Sequence, residues 1–141
     1  MPKATPININ DQLAQLTFFA SRTPQTTDEE IQGAFGLLSE YRDGGVFIAH
    51  YAGLSEWERH EQGDEIVMVV EGETTLVLLS DNIEAGHKLN AGGLFVVPQG
   101  LWHRFESPEG VKVITVTPQP TEHSIERPQD KTVAKDVINQ W

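Results

Sequence analysis

Residues 57–70 read WERHEQGDEIVMVV. The first part, 57–65, is crowded with charge, and the second is an unbroken run of sheet-forming residues. Gly63 and Asp64 suit a tight turn, so the stretch reads as two strands joined through residues 61–64. A loop of that length sets His60 directly opposite Glu65 on one sheet face, with Cβ atoms about 4.5–5.5 Å apart. Glu58 lies two residues before His60 and shares that face. Two carboxylates and an imidazole facing inward are costly to bury unpaired. A divalent cation drawing on all three removes that cost. The run 66–70 is apolar at successive positions, so both of its faces must be covered. One face suits a barrel interior, and the other suits a second layer or a partner subunit.

Outward from this stretch, short apolar runs alternate with turn residues: VFIAHY (46–51), TTLVLLS (74–80), LFVV (94–97), WHRFES (102–107) and VKVITVT (111–117). Breakers separate them at 71–73, 80–82, 90–93, 98–100 and 107–110. Many short strands at regular spacing predict an all-β sandwich or barrel. Upstream, residues 1–26 form an arm with one apolar patch, LAQLTFF (13–19), and an expected strand near 16–19. Thr27 and Glu30 make a capping box, and Ile31, Phe35 and Leu38 fall at helical spacing, which predicts a helix over 28–42 closed by Gly44 and Gly45. A strand through 34–41 is the rival, because Asp43-Gly44 is also a hairpin signal. The barrel with its leading helix is expected over 27–118. Residues 119–141 read as a polar tail, extended with a short helix.

Composition narrows the function. The chain has 141 residues, no cysteine and a formal net charge of −11. The length suits one domain with one core. Without thiolates, any metal must be held by nitrogen and oxygen. The acidity argues against nucleic acid and against anionic membrane surfaces. No apolar run reaches the ~18 residues of a membrane span, and MPKATPININD lacks an apolar leader core, so a cytoplasmic location is expected. No glycine-rich phosphate loop precedes a helix, and no G-x-S-x-G elbow occurs.

A second stretch, GGLFVVPQGLWHRF (92–105), carries the other half of a site. Pro98 ends a strand, Gly100 permits a sharp turn and His103 opens the next strand. If that strand neighbours the first stretch, His103 adds a second imidazole. Two histidines and a carboxylate with open positions are a known set for Fe(II), and related sets hold Mn, Ni, Zn or Cu.

Together the two stretches resemble the cupin superfamily. In its first motif, G(X)5HXH(X)3,4E(X)6G, His60 fills the second His, Glu65 the Glu and Gly72 the closing Gly. In its second, G(X)5PXG(X)2H(X)3N, Gly92, Pro98, Gly100 and His103 match in register. Two departures stand out: Glu58 occupies the first His position, with Gly53 one residue too close to it, and Ser107 stands in the Asn position. The resemblance covers about residues 53–107. It implies an all-β, cupin-type jelly-roll barrel behind an N-terminal helical segment, commonly a homodimer, with a mononuclear divalent metal site in the barrel mouth and a small-molecule ligand. The ligand set it implies here is Glu58, His60, Glu65 and His103. Oxygenase, decarboxylase and isomerase chemistry all occur among cupins, and the sequence does not choose among them. The alternative is a non-catalytic, metabolite-binding or sensing cupin in which Glu58 marks a degenerate site.

Bland readings stand beside these. Either histidine reads also as half-buried core, and Glu65 as a partner of His60 or Arg59. Glu58 reads as a ligand, as an acceptor for a ligating imidazole, or as a surface charge. Arg59 and Arg104 adjoin inward histidines, so their side chains should point the opposite way. Phe105 shares parity with His103 and should line the barrel. His50, His87 and His123 lack motif support.

Overall fold

In the computed structural model, which describes residues 4–132, the apolar runs become strands around one core. Among the described residues nine strands form: β1 Phe19–Arg22, β2 Phe35–Tyr41, β3 Gly44–Leu54, β4 Trp57–Arg59, β5 Glu65–Ser80, β6 Ile83–Asn90, β7 Leu94–Val97, β8 Trp102–Pro118 and β9 Glu122–Ser124. Two short helices, α1 Ile9–Ala14 and α2 Asp28–Ile31, precede and follow β1. The order along the sheet is β1-β3-β8-β4-β9, with β2 on β3, and with β5 paired to β6, β7 and β8. All pairings are antiparallel except β1 with β3.

The long strands β5 and β8 are the spine, and each was expected as two strands. The breaker residues at 71–73 and 107–110 do not end strands; the ladder between β5 and β8 shifts register there and continues. Gly72 has φ +77 and Gly110 has φ +102, conformations that permit a bulge without chain reversal. Before the bulges Ile66 faces Val116; beyond them Leu79 faces Trp102.

Strand periodicity sorts the side chains. Val67, Val69, Leu76, Leu78, Val111, Val113 and Phe105 point into one core with Tyr51 and Leu101. The opposite face of the first half of β5 carries Met68 and Val70, which pack with Ile48, Ile114, Leu13 and Leu16. The second layer that the run 66–70 requires is therefore supplied by α1 of the same chain. Burying Leu13, 2% exposed, contributes about 1.5–3 kcal/mol.

The expected helix over 28–42 is corrected. The capping box is present, with the Thr27 hydroxyl accepting from the Glu30 backbone N–H and the Glu30 carboxylate accepting from Thr27 N. The α-helix nevertheless ends at Ile31, a 3-10 turn spans Gln32–Ala34, and β2 follows. Gly33 and Gly36 weaken helix propagation, while pairing with β3 satisfies every second backbone group: Phe35 faces Ala49 and Tyr41 faces Gly44 across the Arg42-Asp43 turn. The rival hairpin reading is the one that forms. The strand expected near 16–19 begins at Phe19. The tail contributes β9, which pairs with β4. The short helix expected in the tail does not form among its described residues, and residues 133–141 lie outside them.

Candidate metal centre

The proposed hairpin between the two halves of 57–70 does not form. β4 lies between β8 and β9, with Glu58 facing His103 on one side and His123 on the other. β5 makes no ladder with β4. Glu58, His60, Glu65 and His103 converge all the same: Glu58 faces His103 across the β4–β8 ladder, and Glu65 faces Val97, at the end of β7 just before the loop that leads to His103. One donor atom from each of the four lies within 4.8 Å of all the others.

Each position has a local cause. Glu58 sits on β4, His60 directly after it, Glu65 opens β5 and His103 is the second residue of β8. The two loops that carry the motifs are fastened to one another. Gly100 N–H donates to the His60 carbonyl at 3.0 Å. Gln99 N–H donates to Asp64 Oδ1 at 2.7 Å, and the Gln99 side-chain amide donates to the Glu61 carbonyl at 2.6 Å. These bonds fix His60, at the end of one loop, relative to His103, just past the other.

The cluster is buried: His103 is 0% exposed and His60 and Glu65 are each 3%, whereas the Glu58 side chain is 17% exposed. His103 Nδ1 lies 2.9 Å from the Leu101 carbonyl and Nε2 lies 3.0 Å from Glu65 Oε1 and 3.5 Å from Glu58 Oε1. His60 Nδ1 lies 3.0 Å from Thr121 Oγ1. Its Nε2 is buried without a hydrogen bond, 3.3 Å from Glu65 Oε2. The Thr117 hydroxyl donates to that same Oε2 at 2.6 Å. Burial alone would drive the proton off His103; the carboxylates of Glu58 and Glu65 outweigh it and push its pKa up to about 10. In the metal-free protein His103 is accordingly an imidazolium held between two carboxylates.

These residues fit a divalent cation. Donors about 2.0–2.2 Å from one ion, at tetrahedral or octahedral angles, lie roughly 3.0–3.5 Å apart. The separations of 3.0, 3.3 and 3.5 Å match that spacing. The orphaned His60 Nε2 has its Nδ1 tied to Thr121, and His103 has its Nδ1 tied to Leu101; each imidazole thus presents Nε2 to the cluster. Two carboxylates balance a dication, so the group could hold a metal without leaving net charge inside the barrel.

A cavity of about 570 Å³ opens onto Glu58, His60 and Glu65 and is walled by Phe47, Tyr51, Phe105 and Val113. Phe105 lines it, as its parity predicts. Arg59 and Arg104 point to the other face. Arg59 lies over Trp102 and pairs with Glu122 at 2.8 Å; Arg104 lies over Trp57 and pairs with Glu106 at 2.8 Å. Ser107, in the motif's Asn position, is a core residue whose hydroxyl donates to Thr74 at 2.7 Å. His50 packs on Phe18 and His87 on Phe95, away from the cluster. His123 lines the cavity and pairs with Glu56 at 2.9 Å.

Sequence reasoning missed Thr117, Thr121, Arg22 and His123. Thr117 was readable, since it shares parity with the inward Val111 and Val113. The other three reach the cavity from the arm and the tail, which carry no periodic signal.

Among the described residues, no helix is long and apolar enough to cross a membrane. No curated protein sequence matches the chain. Several solved structures share its fold. A cupin-2 domain protein from Shewanella frigidimarina is 21% identical, with 80% of this chain and 94% of that chain covered at a TM-score of 0.60. A Neisseria meningitidis protein is 19% identical over 85% of this chain and 100% of that one, at 0.58. A hydroquinone 1,2-dioxygenase solved with Cd2+ and 4-hydroxybenzonitrile is 19% identical over 60% of this chain and 63% of that one, at 0.51. At these identities the likeness speaks for the fold alone. The family model for the cupin domain matches residues 46–117, about half of the chain and both halves of the cluster; the chain belongs to the cupin family.

Proposed function

We propose that Glu58, His60, Glu65 and His103 hold one divalent metal ion, drawn from Fe, Mn, Ni, Zn or Cu, and that the protein binds or transforms a small molecule in the cavity above it. The observation that carries this reading is the convergence of four N and O donors, three of them buried, at a cavity wall. A bound ion would supply Lewis acidity, or redox chemistry if it is Fe, Mn or Cu. The chain's own contribution is positional: Thr121 and the Leu101 carbonyl orient the two imidazoles, Thr117 holds Glu65, and the aromatic walls exclude water from the ligand. Glu58, the most exposed member, faces the cavity and is the donor best placed to move when a ligand enters. We place the protein in the cytoplasm, as a homodimer.

The test is elemental analysis of untagged protein beside a His60→Ala variant. Near-stoichiometric metal in the wild type that is lost in the variant is the expected result. No metal in either, even after reconstitution with each of the five ions, overturns the reading. Thr121→Val should leave the fold intact and weaken metal affinity about tenfold by removing the partner of His60 Nδ1. Chelator competition measures it.

A second reading rests on the same residues. The imidazolium of His103 already pairs with both carboxylates of the cluster, Glu58 and Glu65, without a metal. That arrangement suits a metal-free, non-catalytic binding cupin, and it is the reading that survives a negative metal analysis.

A further inference from the structure

The cavity that opens onto the acidic cluster also carries a cation that no carboxylate among the described residues pairs with. Arg22, the last residue of β1, lines the cavity, and among the described lining residues it is the one lysine or arginine. Its guanidinium lies over the Tyr51 ring at 4.6 Å and over Phe35 at 5.2 Å. Such stacking fixes the plane of the group; one part of its N–H edge interacts with the Tyr51 hydroxyl, and the rest is left for a partner. Arg59, Arg104 and Arg127 each pair with a carboxylate. Among the described residues, no Asp or Glu oxygen lies within ion-pair distance of Arg22, although Asp28 lines the same cavity. A stacked, half-buried arginine without a carboxylate, facing an aromatic cavity, is a built receptor for a planar anion.

We propose that the cavity takes a small carboxylate, its anionic group seated on Arg22 and its apolar body lying along Phe35, Phe47, Tyr51 and Phe105. Volume and walls agree: about 570 Å³ accommodates a substituted single ring. Charge agrees as well. The chain carries −11, and Glu58 and Glu65 repel an anion from the cluster side. Arg22 answers that repulsion locally, and a dication on the cluster would cancel the remainder. The proposal deepens the metal-centred reading and relies on it for the use of the cavity; Arg22 lies outside the residues matched by the family model.

The closing experiment titrates benzoate and its neutral counterpart benzamide, calorimetrically, into metal-free and Zn2+-treated protein, each as wild type, Arg22→Gln and Arg22→Lys. In the wild type, benzoate should bind about tenfold or more tighter than benzamide. Arg22→Gln should bring that ratio to about one without changing benzamide binding, and Arg22→Lys should retain part of it. Equal binding of the pair, absence of benzoate binding in both forms, or a preference that survives Arg22→Gln overturns the proposal. The two readings fail separately. If the protein retains no metal, the Arg22-dependent preference still appears in the metal-free titration. If the preference needs Zn2+ and survives Arg22→Gln, the metal holds the carboxylate and this proposal falls.

Discussion

Glu65→Gln should cost the metal-free protein about 3–5 kcal/mol and abolish retention of a divalent ion. The magnitude follows from burial. Glu65 is 3% exposed and His103 is 0% exposed, and removing one partner of a buried ion pair strands the other charge. The amide also turns a donor toward either His103 or Thr117, where the carboxylate accepted. A pH series separates this loss from a packing defect. Burial alone would raise the Glu65 carboxyl, but contacts from His103 and His60 outweigh it and hold it down at about 2, below its ordinary 4.5. A carboxyl lowered on folding contributes stability above about pH 4.5 and loses it as pH falls toward 2. His103 is raised on folding from 6.5 to about 10, so its contribution is complete below pH 6.5 and fades as pH rises toward 10. The two shifts describe one interaction and do not add. Urea denaturation in EDTA should therefore show the wild-type contribution at its fullest between about pH 4.5 and 6.5, declining on both sides. In Glu65→Gln the acid limb should vanish and the alkaline limb should shrink to what Glu58 alone supports. A variant within about 1 kcal/mol of wild type across that range would mean that the pair is not buried in solution as it is in the structure.

How the four residues meet was less legible than which four they are. The residue types and the cupin spacing single out Glu58, His60, Glu65 and His103 without coordinates. The local derivation, a hairpin with His60 opposite Glu65, is nevertheless wrong in topology. Alternation fixes which residues share a face, and a turn of Gly63 and Asp64 suggests the neighbouring strand, but nothing local says that β8 will come between as the shared neighbour. That is decided by long-range pairing, and both β4 and β5 pair with β8. The breakers at 71–73 and 107–110 failed for a related reason. A glycine flanked by polar residues reads as a turn in isolation; in contact with its counterpart on the adjoining strand it makes a bulge. The segment 28–42 shows propensity overridden by tertiary pairing: a genuine capping box started a helix that the edge of β3 cut short. The cavity's chemistry was the least legible, because Arg22, Thr121 and His123 come from aperiodic segments laid against the barrel.

Gly53→Ala should cost about 3 kcal/mol or more and erase the Arg22-dependent carboxylate preference at the same time. Gly53 has φ +117, a conformation that an alanine adopts only with strain of about 1–3 kcal/mol. A Cβ there would also stand 2.1 Å from the Arg22 carbonyl oxygen and 2.8 Å from its backbone nitrogen. Neither is the end of a flexible side chain, so relief requires β1 itself to retreat. β1 is held to β3 through Phe19 facing Tyr51 and Arg22 facing Gly53; when it moves, Arg22 leaves the Tyr51 ring. Gly92→Ala is the control. Its φ is +87, yet nothing lies within 4 Å of the added carbon, so it should lose only the conformational strain and keep the benzoate-to-benzamide ratio intact. Thermal denaturation gives the stability difference and calorimetry gives the ratio. If Gly53→Ala behaves like Gly92→Ala in both, the close approach of β1 is not what seats Arg22. If stability falls and the ratio holds, Arg22 is anchored by its stacking on Phe35 and Tyr51 rather than by its backbone. A joint loss ties a glycine at the edge of the cupin motif to the selectivity of the cavity, through the backbone of a strand that lies outside the motif altogether.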